Sequence, residues 1–279
     1  MEPLLKWAGG KRRLLPLIKN YIDIEYIEKN NAVFYEPFVG GGSLFLDLCL
    51  SKCVINDYNS ELTNVYLQVK NEPDRLITKL KKHEKNHSKE YYMKIRSLDR
   101  SDNYLEMSSL DKAARIIYLN KTCYNGLYRV NSKGYFNVPI GKYKKPDIVM
   151  EEKIKEISRY LNDNQVDILT GDFEDAVKTA KKNDVIYFDP PYDYEENGFT
   201  GYVPNGFDKE DLKRLRDCCD DLIRRGCIIV LSNNDTSYVN ELFSSDYYQI
   251  KHIEAHRLIN CDGKRRAKAK EVIIYGKSK

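Results

Sequence analysis

Five short apolar runs, spaced by stretches of helical periodicity, constrain this chain more than any other feature. VFYEPFV (33–39), CVINDY (53–58), VDILTGDF (166–173), DVIYFDPPY (184–192) and CIIVLSNN (227–234) are rich in β-branched and aromatic residues. Between them lie SLFLDLCL (43–50), ELTNVYLQV (61–69) and DKEDLKRLRDCCDDLIRR (208–225), whose apolar residues recur at helical spacing. Strands joined through helices make parallel pairs, and a parallel sheet is covered on both faces, so an α/β architecture is expected. The closing segments YYQIKHIEAH (247–256) and EVIIYG (271–276) read as an antiparallel pair at its edge.

The texture changes between about residues 71 and 164. Asp74–Lys85 and Lys89–Leu98 read as polar helices and Leu110–Cys123 as an amphipathic one, while GLYRVNSKGYFNVP (126–139) alternates around Asn131–Gly134 as a β-hairpin would. We read this block as an insertion, giving an α/β domain of residues 1–70 and 165–279 interrupted by an inserted domain of residues 71–164.

Charge and cysteine content narrow the function classes. Net charge is only +4, but basic residues cluster at Lys11–Arg13, at Lys142, Lys144 and Lys145, and from Lys264 to Lys279. Such clusters either line a phosphate backbone or are solvated surface. The seven cysteines form no C-x-x-C pair, so a zinc site and a disulfide framework are not expected. No run is apolar enough to cross a membrane, and MEPLLKWAGGKRR lacks a signal peptide's apolar stretch; a cytoplasmic protein is expected. His83 and His87, four apart without a third ligand, read as exposed helix residues rather than a metal site.

Two strand ends carry the chemistry. In EPFVGGGSLF (36–45) a strand enters three glycines and then a helix. Gly40, Gly41 and Gly42 let the backbone turn sharply and approach a ligand. Phe45 breaks the dinucleotide fingerprint and no G-K-[ST] follows, so the turn suits a nucleoside without a pyrophosphate, or is simply a structural turn. Asp57 ends the next strand, where an acid accepts hydrogen bonds from ribose hydroxyls. Alternatively it caps the following helix, a task open also to Asn59 or Ser60. Asp172, with Phe173 beside it, either reaches an adenine edge or completes a plain turn. At the second strand end, Asp189, Pro190, Pro191 and Tyr192 offer a carboxylate acceptor, a rigid carbonyl and a stacking face. A nucleobase amino group, a poor nucleophile because its lone pair is delocalised, needs such acceptors and such a face before it attacks an electrophilic methyl.

LKWAGGKR, FVGGG and DPPY in that order, with YNGLYRVNSKGYFNVPIGKYKKP (124–146) between the last two, resemble the S-adenosylmethionine-dependent DNA adenine-N6 methyltransferases of the Dam type. The resemblance covers nearly the whole chain and is loosest in 71–108 and in INCDGKRRAKAK (259–270). It implies a seven-stranded, mostly parallel, Rossmann-like methyltransferase sheet with an inserted, mainly helical target-recognition domain carrying a β-hairpin. It implies transfer of a methyl group from S-adenosylmethionine, without a metal, to adenine N6 in double-stranded DNA, within GATC. Trp7, Lys11, Phe38, Gly40, Asp57, Asp172, Phe173 and Asp189 would contact the cofactor, and Asp189, Pro190 and Tyr192 would hold the flipped adenine. Lys6 would lie on the DNA side. Tyr124 and Asn125 would fill the gap near the flipped base, Leu127, Arg129 and Pro139 would read base edges, and Lys142 and Lys144 would grip phosphates. The rival readings are an amino methyltransferase acting on RNA or a protein amide, and a DNA-binding module without catalysis. A cognate restriction endonuclease and the oligomeric state stay open.

Overall fold

The computed structural model describes residues 1–7, 14–193, 207–255 and 269–278. Seven strands, β1 (Phe34–Glu36), β2 (Lys52–Asp57), β3 (Gln165–Thr170), β4 (Val185–Phe188), β5 (Ile228–Asn234), β6 (Tyr248–Ala255) and β7 (Ala269–Gly276), form one sheet in the order β3-β2-β1-β4-β5-β7-β6. The first five strands are parallel, and β7 runs antiparallel to both β5 and β6. The expected antiparallel pair is therefore present, with β6 at the edge and β7 inserted beside β5.

Eleven α-helices lie among the described residues: α1 (Leu15–Lys19), α2 (Ile24–Lys29), α3 (Phe45–Leu48), α4 (Ser60–Asn71), α5 (Pro73–Lys85), α6 (Lys89–Ser97), α7 (Ser109–Thr122), α8 (Glu151–Asp163), α9 (Phe173–Ala176), α10 (Lys209–Arg224) and α11 (Ser237–Leu242). Local signals fix their starts. Pro73 opens α5, and the Asn59 and Ser108 side chains accept from Glu61 and Asp111 N–H at the heads of α4 and α7. Asp208 and Asp211 form a capping box on α10. The apolar stretch 43–50 makes only one helical turn, α3, because Cys49 adopts a left-handed conformation (φ 51°) and ends it.

Alternate strand residues face opposite layers. Phe34, Tyr187 and Val230 join a core shared with α3, α4, α5, α7 and α8; Tyr35, Ile186, Phe188, Ile229 and Leu231 face the side covered by Leu215, Cys219 and Leu222 of α10. Burial on both sides is why VIYF is apolar throughout rather than alternating. The helices of the middle block thus pack into the same core as α4. Beyond α7, the GLYRVNSKGYFNVP segment pairs through a single antiparallel bridge, Val130 with Phe136, flanked by Asn131 N–H to Tyr135 O and Asn137 N–H to Arg129 O. Asn131 Oδ1 accepts from Lys133 and Tyr135 N–H, closing the loop in two residues' reach and leaving no extended ladder.

His83 and His87 depart from expectation. Both are half-buried: His83 stacks on Tyr118 (4.9 Å) and its Nδ1 meets Tyr91 Oη at 2.9 Å, while His87, beyond the end of α5, meets Tyr118 Oη at 2.9 Å. Burial lowers the His83 pKa to about 4. Tyr118 comes from another helix, so the sequence around the histidines did not display it.

Candidate active site

Strand order places the two chemical motifs side by side. β1 pairs with β2 on one flank and β4 on the other, with Phe34 opposite Val185 and Tyr35 opposite Ile186. The chain winds outward from β1 in one direction and from β4 in the other, so a crevice opens at their carboxyl ends. The glycine turn leaves β1 there, and Asp189 leaves β4.

The turn is stitched from three directions. Buried Asn56 donates through Nδ2 to Pro37 O and Gly171 O, both at 3.0 Å, tying the ends of β1, β2 and β3 together. Asp57 accepts from Gly40 N–H (Oδ2, 3.0 Å) and Asn59 N–H (Oδ1, 2.9 Å). Asn59 is the cap of α4, so Asp57 is directed at the glycine turn instead. Burial pushes its carboxyl up to about 6, against the pull of the two N–H donors. Gly42 has φ 71°, and a Cβ there would stand 2.6 Å from both Phe45 Cε1 and Tyr66 Oη. Glu36 is buried at the strand end and accepts from Phe45 N–H at 3.0 Å; burial first, and then Asp189, raise its carboxyl well above the usual range.

Phe38 stacks on Phe173 (centroids 5.4 Å) and meets Phe207 edge-on (5.7 Å). Phe173 is buried between Phe38 and the Arg214 guanidinium, 5.1 Å from its ring. Asp172 caps α9 and pairs with Arg214 at 3.0 Å, so both it and Phe173 are engaged within the protein here.

The DPPY turn is held by residues that the motif does not contain. Ser232 Oγ donates to Asp189 Oδ1 at 2.8 Å and meets Tyr187 Oη at 2.9 Å. Tyr192 Oη donates to Glu271 Oε2 of β7 at 3.3 Å. Asp193 N–H donates to Asn233 Oδ1 (3.0 Å), Thr236 Oγ1 donates to Asp193 Oδ2 (2.6 Å), and Asn234 Nδ2 donates to Asp193 O. Ser232, Asn233, Asn234 and Thr236 are all buried. Sequence reading passed over them, although a strand that turns polar (SNNDT) while staying inside is itself a signal for polar work at its end.

A third segment converges on the same face. Asn120, buried on α7, accepts from Lys6 N–H (3.0 Å) and donates to Lys6 O (2.7 Å) and Gly126 O (2.9 Å). Gly126 (φ 67°) packs so closely on Lys6 that a Cβ would stand 2.6 Å from Lys6 Cδ. Trp7 stacks on Tyr128 (5.0 Å) and lies against the turn, 3.0 Å from a Cβ placed on Gly40 or Gly41. Tyr124, Asn125, Arg129, Pro139, Lys142 and Lys144 are exposed and Leu127 is half-buried. Arg129 Nε donates to Asn137 Oδ1 at 2.7 Å. The Lys6 ammonium lies over the Tyr143 ring, 5.1 Å from its centroid. Lys11, residues 194–206 and Lys264–Lys268 lie outside the described residues.

Residues 7–259 match the family described as D12 class N6 adenine-specific DNA methyltransferase. The chain belongs to that family. This methyltransferase is 47% identical over 280 residues to the Type II methyltransferase M1.LlaDCHI of Lactococcus lactis subsp. cremoris, covering 99% of this chain and 96% of that protein. It is 40% identical to the Type II methyltransferase M.MjaIII of Methanocaldococcus jannaschii, covering 95% of each. It is 31% identical to the DNA adenine methylase of Escherichia coli K12, covering 98% of this chain and 94% of that one. An adenine-specific DNA methyltransferase thus has DNA as substrate and a methyl donor as cosubstrate. Among the described residues no helix is long and apolar enough to cross a membrane, and no group of three metal-ligating side chains is present.

Proposed function

We propose that this enzyme draws its methyl group from S-adenosylmethionine held at the Phe38–Gly42 turn and delivers it to an adenine flipped out of duplex DNA, within GATC, at Asp189–Tyr192. The observation that carries this reading is the β1–β4 adjacency, which sets a nucleoside-type glycine turn beside the DPPY carboxylate in one crevice. The residues fit the donor. Each Asp57 oxygen accepts one backbone N–H and retains a further lone pair for a ribose hydroxyl. Phe38 and Phe173 supply an aromatic wall, and Trp7 closes the turn from above. Bound S-adenosylmethionine would supply a sulfonium methyl with a thioether leaving group.

The chain's own residues do the rest. Asp189 accepts from the adenine amino group and Pro190 O accepts the second N–H, which draws the nitrogen lone pair out of conjugation. Tyr192 holds the ring face. A base inside a duplex cannot reach this crevice, so it is extruded at a cost of about a few kcal/mol, which Tyr124 and Asn125 offset by filling the gap. Leu127, Arg129 and Pro139 read base edges; an arginine on guanine O6 and N7 discriminates by about 1–3 kcal/mol. Residues 71–164 act in this scheme as the target-reading insertion and 1–70 with 165–279 as the catalytic part. The test is label transfer from S-adenosylmethionine to duplexes carrying GATC or single-base substitutions of it, with an Asp189→Ala variant alongside. Expected are transfer to GATC alone and loss of transfer in the variant with DNA binding retained. Equal labelling of all duplexes sinks the GATC assignment, and an active Asp189→Ala sinks the mechanism.

A further inference from the structure

The Asp189 carboxylate is oriented by a residue 43 positions away, and that contact has consequences for the reaction. Ser232 lies in β5, next to β4 in the sheet, and is fully buried. A serine hydroxyl has one proton. Because an ionised carboxylate only accepts, that proton goes to Asp189 Oδ1 at 2.8 Å. Tyr187 Oη, 2.9 Å from Ser232 Oγ, must then be the donor in that pair, and Tyr187 is itself buried. The direction of both bonds is therefore fixed: Tyr187 to Ser232 to Asp189. Tyr192, the far wall of the turn, gives its own hydroxyl proton to Glu271.

We propose that Ser232 is a positioning residue for methyl transfer, holding the Asp189 carboxylate plane through one buried hydroxyl that Tyr187 in turn orients. The proposal rests on Asp189 being the acceptor for the adenine amino group. With Oδ1 anchored, the carboxylate cannot rotate about its last torsion, so its second oxygen has a defined position. The reacting nitrogen gains from an acceptor that is already oriented, because no reorganisation is then needed as charge develops. A buried chain of hydroxyls at this point is otherwise hard to explain, since an apolar pair would fill the same space between β4 and β5 without polar groups to satisfy.

The groups facing Asp189 are Glu36 from the end of β1, Tyr187 of β4, Tyr192, and, through the tyrosines, Glu271 of β7. Replacing Ser232 removes the hydroxyl donor from Asp189 Oδ1 while leaving those neighbours in place. The experiment compares full-length Ser232→Ala and Tyr187→Phe with the parent in single-turnover methylation of duplex DNA from a methylation-free host, across pH. Binding of S-adenosylmethionine and DNA is measured separately. Expected for Ser232→Ala are a rate about tenfold lower or more, both affinities within about twofold, and an acid limb displaced to higher pH. Tyr187→Phe gives a smaller loss in the same direction and carries the test if Ser232→Ala does not fold. A parental rate and an unmoved acid limb overturn the proposal, as does a loss confined to the affinities. Asp189→Ala separates the two levels. An inactive Asp189→Ala with a parental Ser232→Ala overturns this inference alone, whereas an active Asp189→Ala removes the reading beneath it.

Discussion

An ionised carboxylate drawn out of water destabilises a fold unless donors surround it, and Asp57 has two backbone donors and still an elevated pKa of about 6. The sign follows from proton binding. The folded state holds the Asp57 proton more tightly than the unfolded chain, so stability from this residue is present below about pH 4 and is lost as pH rises through about 6. The ionised form therefore persists at neutral pH at a cost of about 3 kcal/mol, roughly two pKa units. A carboxylate kept charged at that cost suits a site whose ligand repays it with hydroxyl donors. Affinity for S-adenosylmethionine is expected to fall below about pH 6, approaching tenfold per pH unit, because the protonated acid loses an acceptor. Asp57→Asn should bind the donor more weakly at neutral pH and flatten this dependence. Calorimetric titration between pH 5 and 8 checks it, and an unaltered pH slope in the variant places the titration elsewhere. The residue was legible in the sequence as a strand-end acid. Its bond to Gly40 N–H was not, because it joins two strand ends that only the sheet brings together.

At the scale of elements, α7 is the joint between the glycine turn and the 124–129 segment. Its Asn120 carboxamide satisfies three backbone groups, two on the part-buried Lys6 backbone and one on buried Gly126, and Trp7, which follows Lys6, is wedged between Tyr128 and the glycine turn. Asn120→Ala leaves those groups unpaired, at about 1–3 kcal/mol for each that water cannot reach. The expected result is a clear drop in melting temperature together with weaker binding of cognate duplex, while binding of unrelated duplex holds. Trp7 is the only tryptophan in the chain, so its emission reports directly on this joint. An Asn120→Ala protein with parental melting, emission and cognate affinity would show the joint to be incidental. Helices and strands themselves were largely legible, since their signals are local: Pro73, Asn59, the Asp208 box and the five apolar runs. The hairpin turns where alternation placed it, pairing Val130 with Phe136, but it is short because its outer residues are claimed by α6 and the turn after it: Tyr92 and Arg96 donate to Val138 O, and Asp99 accepts from Phe136 N–H. Those long-range partners lie in the stretch where family resemblance was loosest.

For the whole molecule, the fold sets the crevice at the carboxyl ends of the inner strands β1 and β4, and under the proposed function the basic residues bring DNA to it. A net charge of +4 is too small for strong non-specific attraction, so local clusters must supply phosphate contacts. Lys142, Lys144 and Lys145 are exposed on the segment that follows residues 124–139, whose Gly141 N–H is bonded to Thr122 O at the end of α7. They are thus tied to the same helix that holds Lys6, so under the proposed function a phosphate bound there would keep register with Leu127 and Arg129. A lysine on a phosphate releases about 0.9 counterion and gives that increment to the slope of log affinity against log salt. Lys144→Ala should lower the slope by about one and weaken all duplexes alike, leaving the ratio of cognate to unrelated binding unchanged. Arg129→Ala should do the reverse, with little change in slope and a loss at one base pair. Binding measured across salt concentrations on both kinds of duplex separates the two. An unchanged slope for Lys144→Ala takes this lysine off the DNA, and a selective loss makes it a reader of sequence instead of a grip on the backbone.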